Sequence, residues 1–144
     1  MIQINPYSDW KTKMASQLPA AARKRAANFI LDNGNNLQRK RFSFHFDDDF
    51  DTDPTEAVIK SLAPYQNADG GFGHGLEPDL RTTNSSVICT TVALQIFEET
   101  NAPSNTPAIA AAMSFLDKQF RFNNWPNIGE NCNEAPHAPW RKYN

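Results

Sequence analysis

Sixteen residues, Tyr65 to Leu80, read YQNADGGFGHGLEPDL and hold four glycines, three carboxylates and one histidine. His74, Glu77, Asp79 and Arg81 all fall within eight positions of this loop and its edge. Carboxylates and an imidazole converging there would supply a general acid and a general base, and an arginine beside them would orient an anionic group. Loops of this composition present function from a rigid scaffold. Two residues nearer the C-terminus, Glu134 and His137, are candidates to face the same opening. By residue type His74, Asp79 and His137 would make a metal set, although their spacing matches no ligand motif. A plainer reading stands beside these. Asp69 caps the glycine turn through its own backbone, and Glu77 pairs with Arg81 across an i,i+4 spacing at the surface. A phosphate cradle is excluded, because the glycines lead into no Gly-Lys-Ser/Thr and follow a helical pattern rather than a strand.

A second stretch with chemical potential is RFSFHFDDDFDTD, Arg41 to Asp53. Its period of two predicts an extended segment, with Phe42, Phe44, Phe46 and Phe50 on one face and His45, Asp47, Asp49, Asp51 and Asp53 on the other. Asp47, Asp49 and Asp51 are thereby candidate ligands for a hard divalent cation, calcium or magnesium. This is no EF-hand, since Thr52 stands at the loop-glycine position and Val58 at the twelfth. Asp47, Asp48 and Asp51 also fit an Asp-Asp-x-x-Asp pattern that binds magnesium and diphosphate in other helical enzymes. A run so rich in aspartate meets such patterns by composition alone. The plainer reading is a solvated acidic turn feeding the N-terminus of the next helix.

The elements that must position these residues read as helices. Ser8 to Gln17 is a short helix ahead of Pro19, and Ala20 to Asn33 a longer one with Ala22, Ala26, Phe29 and Ile30 on one stripe and Gly34 as its C-terminal cap. Asp53-Pro54 starts a helix carrying Val58, Ile59, Leu62 and Tyr65. Ser85 or Ser86 caps the next, which runs through VICTTVALQIF to about Thr100 and is apolar enough to be surrounded on all sides. Thr106-Pro107 starts another, with Ile109, Ala112, Met113, Leu116 and Phe120 on one stripe. From Trp125 to Asn144 three prolines and no period predict loop or extended chain. The expected fold is therefore all-α, in a single domain spanning 1–144. A net charge of −2, with basic residues only in short clusters, argues against a nucleic-acid partner. No stretch has the length of a membrane span or signal peptide, and Cys89 and Cys132 make no disulfide framework, so a cytoplasmic location with reduced thiols is expected.

Self-similarity organises the helices. Gln66, Gly70 and Phe72 form a Gln-x-x-x-Gly-x-aromatic clasp, and Gln119, Asn123 and Trp125 repeat its spacing 53 positions later with asparagine for glycine. Each follows a proline-started helix with a leucine shortly upstream, Leu62 or Leu116. The glutamine reaches orphan backbone groups at helix ends, glycine or asparagine permits a positive φ, and the aromatic folds back over the turn. Repeat units of about 53–84 and 106–130 follow, each part of a helical hairpin.

These clasps resemble the glutamine–tryptophan repeat of the terpenoid cyclase and protein prenyltransferase superfamily, whose members fold as α/α toroids. The longer string YQNADGGFGHGLEPDLRT, with SS and TTVALQI after it, is similar to a bacterial squalene cyclase-like branch. The likeness covers Asp53 to Trp125, and weakly Ala135 to Trp140. It implies part of a toroid, and an apolar, isoprenoid-like ligand in a central aromatic-lined cavity. The family's catalytic signatures are missing: no Asp-x-Asp-Asp run occurs, and neither Cys89 nor Cys132 sits in an Asp-x-Cys pair. Five helices are too few to close a toroid, so the chain is expected to be the N-terminal part of a longer protein or to close by self-association. Two further expectations stand beside the isoprenoid one. HGLEPDLR suits a carbohydrate-active hydrolase or lyase on the same scaffold, and a non-catalytic repeat scaffold would need none of these side chains.

Overall fold

The structure, a computed structural model, describes residues 19–46, 52–126 and 128–143. The helix expected over Ser8–Gln17 and the candidate cation ligands Asp47, Asp49 and Asp51 lie outside these residues. Among the described residues the regular elements are helical: α1 (Ala20–Asn33), α2 (Asn36–Phe46), α3 (Pro54–Leu62), α4 (Val87–Glu99) and α5 (Pro107–Gln119). Short 3-10 turns cover Ala63–Tyr65, Glu130–Glu134 and Pro139–Arg141, and the only β pairings described are isolated bridges. The chain divides into two compact units, with the boundary inside α3 between Val58 and Ile59.

In the first unit α1 spans the expected residues. Gly34 caps it, donating its N–H to the Ile30 carbonyl at 2.8 Å, but in extended rather than left-handed backbone (φ −69°, ψ 149°). The expected stripe on α1 is not buried, and Phe29 stands well exposed. The extended segment predicted from Arg41 is corrected: through Phe46 the chain is the helix α2. The cause is a signal upstream of the phenylalanines. Asn35 Oδ1 accepts the Gln38 N–H at 2.9 Å and Gln38 Oε1 accepts the Asn35 N–H at 2.8 Å, a reciprocal capping box that starts a helix at Asn36. Once helical, Phe42 and Phe46 become i,i+4 neighbours and stack with centroids 5.0 Å apart. Asp53 caps α3 as its Asp-Pro sequence predicts, its Oδ1 accepting the Thr55 N–H at 2.9 Å ahead of Pro54 in the first turn.

The second unit is built on α4 packed against α5. Ser86, not Ser85, caps α4, its Oγ accepting the Cys89 N–H at 3.1 Å. The helix buries Cys89, Thr90, Ala93, Ile96 and Phe97 but exposes Thr91 and Gln95, so it has one buried face instead of the enclosure its composition suggested. On α5 the buried pair is Ala112 and Phe115, while Met113 and Phe120 of the expected stripe are exposed. Phe115, outside that stripe, decides the rotation, because its ring lies against Gly71 of the glycine loop. The clasp ending the Ala63–Tyr65 turn closes as expected. Gln66 and Phe72 pair across an antiparallel bridge, and Gln66 Nε2 donates to the carbonyls of Gly70 and Ala108, each at 3.0 Å. Phe72 is fully buried, its N–H donating to Thr90 Oγ1 at 3.0 Å and its ring meeting Phe97 edge-on at 6.2 Å. Gly70 holds φ +90°, and a Cβ there would lie 2.5 Å from the Ala111 carbonyl oxygen. Conformation and space therefore both demand glycine.

The second clasp shares the backbone feature without the burial. Arg121 and Asn124 exchange hydrogen bonds of 2.9 Å around Phe122 and Asn123, whose φ values of +50° and +61° describe a tight two-residue turn. Trp125 Nε1 donates to the Leu116 carbonyl at 2.9 Å, and its ring lies 4.5 Å from Phe120.

Candidate functional site

The glycine loop is held by a hydrogen-bonded chain of four side chains. Asp69 Oδ1 accepts the Gly71 N–H at 2.9 Å, the turn cap its position predicts, and also the Ser85 hydroxyl at 2.8 Å. Asn67 Nδ2 donates to Ser85 Oγ at 2.9 Å and to the Thr83 carbonyl at 3.0 Å. Two acceptors on the amide nitrogen turn Asn67 Oδ1 toward His74, whose Nε2 lies 2.9 Å away. A carbonyl oxygen only accepts, so Nε2 carries the proton and a neutral His74 leaves Nδ1 as an acceptor. His74 itself is exposed, in left-handed backbone at φ +55°.

Asp69 and Ser85 also line a cleft of about 340 Å³, shared with Asn84, Ser86, Val87, Phe115, Gln119, Pro126, Ile128 and Gly129. Its residues come from the glycine loop, the start of α4, the end of α5 and the segment after the second clasp. Gly71 lies against two of the lining residues, Ser85 and Phe115. A Cβ there would lie 2.6 Å from Ser85 Cβ and 2.8 Å from the Phe115 ring, so the approach of these two needs the bare backbone. The lining combines one carboxylate, two amides and hydroxyl groups with apolar faces from Phe115, Val87 and Ile128. That volume lies in the range of about 300–1,000 Å³ usual for small-molecule sites.

The residues singled out from the sequence as catalytic do not line this cleft. His74 reaches it only through Asn67 and Ser85. Asp79, Arg81 and His137 meet elsewhere, where the C-terminal segment pairs with the end of the loop. Leu80 and His137 form an antiparallel bridge, Arg81 N–H donates to the Pro136 carbonyl at 3.0 Å, and Ala138 N–H to the Asp79 carbonyl at 2.9 Å. Asp79 Oδ2 accepts the Trp140 indole N–H at 3.1 Å, and His137 Nδ1 lies 2.7 Å from the Ala135 carbonyl. The tail thus joins the end of the loop through backbone pairing, and neither Glu134 nor His137 lines the cleft. Glu77 is half-buried beside Cys89. Burial pushes the Cys89 thiol above its ordinary 9.0, opposed in part by hydrogen bonding from Ser86 and the Glu77 backbone, while the Glu77 carboxylate and Cys132 add to the rise. Among the described residues no group of three metal-ligating side chains is close enough to hold an ion, the trio His74, Asp79 and His137 included.

Ser85, Asn84, Gln119 and Phe115 were not apparent as site residues in the sequence. A signal for Ser85 existed: of two adjacent serines only one can cap α4, and the other hydroxyl is left to find a partner. Compared with protein-family models, with characterised proteins and with solved structures, the chain matches none. Among the described residues no helix is long and apolar enough to cross a membrane.

Proposed function

We propose that the protein binds a small polyhydroxylated ligand of carbohydrate type in the cleft beside Asp69. The observation that carries this reading is the lining: Asp69, Ser85, Asn84 and Gln119 offer acceptors and donors around one aromatic ring, Phe115. Hydroxyl-rich ligands need both kinds of partner, and one apolar face for the carbon skeleton. An isoprenoid-like ligand would need an enclosed aromatic cavity, whereas Phe120, Phe122, Trp125 and Trp140 stand exposed. That contrast favours the sugar reading. Paired-carboxylate hydrolysis is not part of it, since Asp69 is the one carboxylate lining the cleft among the described residues. The two clasps, with α4 and α5 between them, support assigning 59–144 to the α/α-toroid type, as a partial array of helical repeats.

The test is a panel of mono- and disaccharides followed by NMR on uniformly labelled protein. Binding should shift the amide signals of Ser85, Asn84 and Gln119. Asp69→Asn removes a charged acceptor of about 1.5–3 kcal/mol and should weaken binding roughly 10- to 100-fold. A panel that leaves those three signals unmoved while the protein stays folded refutes the reading.

A further inference from the structure

The chain from Ile128 to Tyr143 is bound mostly to itself. Cys132 N–H donates to the Gly129 carbonyl at 3.0 Å and Arg141 N–H to the Ala138 carbonyl at 2.8 Å. The Asn133 side chain exchanges hydrogen bonds of 2.8 and 2.9 Å with the backbone of Tyr143. Among the described residues, its hydrogen bonds to the rest of the protein all fall at one place. Asp79 takes the Ala138 N–H and the Trp140 indole N–H, and the Pro136 carbonyl takes the Arg81 N–H. Little apolar surface helps to hold it. Cys132 is 1% exposed and lies near enough to Cys89 of α4 to act on its thiol, but Trp140 is 71% exposed and Tyr143 37%. One feature works against closure. Arg141 Nε is buried with no hydrogen-bond partner among the described residues, a donor that water would satisfy. At the start of the same segment, Ile128 and Gly129 line the cleft beside Asp69.

We propose that residues 128–143 form a strap that opens as one piece from its latch at Asp79–Arg81 and so admits a ligand to the cleft. The internal hydrogen bonds keep the piece together, the latch holds it closed, and the orphaned Arg141 donor drives it open. A segment with few buried apolar side chains opens at a free energy well below that of global unfolding. Opening withdraws Ile128 and Gly129 from the cleft and bares Cys132. It leaves α4 in place, because that helix is capped by Ser86 and packs through Phe97 on the buried Phe72. The gating role rests on reading the cleft as a ligand site, whereas the opening itself needs no ligand.

The experiment treats the whole 144-residue chain with a thiol reagent at pH 8 and reads each cysteine by peptide mass spectrometry. Cys132 should react in native buffer, ahead of Cys89, at a rate that rises less than about threefold by 1 M urea. Exposure through global unfolding alone would raise it about 30-fold over the same range. Trp140→Phe removes only the indole donor of an exposed ring and should speed Cys132 labelling about three- to tenfold. Arg141→Met removes the orphaned donor at similar bulk and should slow it at least about fivefold, an effect opposite to that of losing a merely structural arginine. Labelling of Cys132 that climbs with urea as global unfolding does overturns the proposal, and so does an Arg141→Met chain that labels no more slowly. Any saccharide of the panel that binds should associate faster with Trp140→Phe and more slowly with Arg141→Met, and equal association rates remove the gate. A panel without a binder refutes the ligand reading, and a steep urea dependence refutes the strap, so the two failures are read apart.

Discussion

Gly70→Ala tests how the first clasp is built, because the structure gives two separable reasons for glycine there. The first is conformational. Gly70 sits at φ +90°, where an L-residue costs about 1–2 kcal/mol. The second is steric. The new Cβ would lie 2.5 Å from the Ala111 carbonyl oxygen and 2.9 Å from its carbon, both backbone atoms of α5 that no rotamer change can move aside. Overpacking of this kind costs about 1–3 kcal/mol. The two add to roughly 2–5 kcal/mol, a large share of a stability of about 5–15 kcal/mol. With a urea m-value near 2 kcal/mol/M, a loss of about 3 kcal/mol lowers the midpoint by roughly 1.5 M in a titration followed by circular dichroism. Asn123→Ala is the internal control. It meets the same conformational demand at φ +61° in an exposed turn, so it should lose only about 1 kcal/mol. Should Gly70→Ala lose no more than Asn123→Ala, the close approach of α5 to the clasp is wrong, and with it the account of why the two turn residues differ.

Other outcomes follow from the same structure. Asp53→Ala should cost about 1 kcal/mol, since it deletes the cap of α3, and Asp53→Ser should restore most of it in the same titration. Ser85→Ala should leave α4 capped by Ser86, preserving its helix content, yet release Asn67 and so shift the His74 ring signals in NMR. Cys89, buried with its thiol raised above 9.0, should react with a thiol reagent at pH 8 only after denaturant is added. The neutral thiol is the form the fold favours. Its contribution is therefore complete below pH 9 and declines as pH rises from the unfolded thiol's 9.0 toward the higher folded value. Cys89→Ser should flatten that decline in an alkaline denaturation series.

Where the sequence sufficed, the cause was local. Asp53-Pro54 and the adjacent serines mark helix starts because a cap acts within three residues of itself, and at Thr106-Pro107 the proline in the first turn marks the start without a side-chain cap from Thr106. The clasp residues were legible because spacing and a tolerated positive φ are backbone properties, and both turns show them at Gly70 and Asn123. The phenylalanine alternation misled for the same reason: period two is a weaker local signal than the capping box at Asn35 and Gln38 beside it. The rest was decided only in three dimensions. Which face of α5 is buried depended on Phe115 meeting Gly71, a contact 44 positions apart in the chain. Asp69 was legible as a turn cap, but its place in the cleft required Ser85 from the start of α4 and Phe115 and Gln119 from α5 to arrive beside it. Burial of one clasp and exposure of the other likewise come from what packs over them, a property of neighbours that no residue type carries by itself.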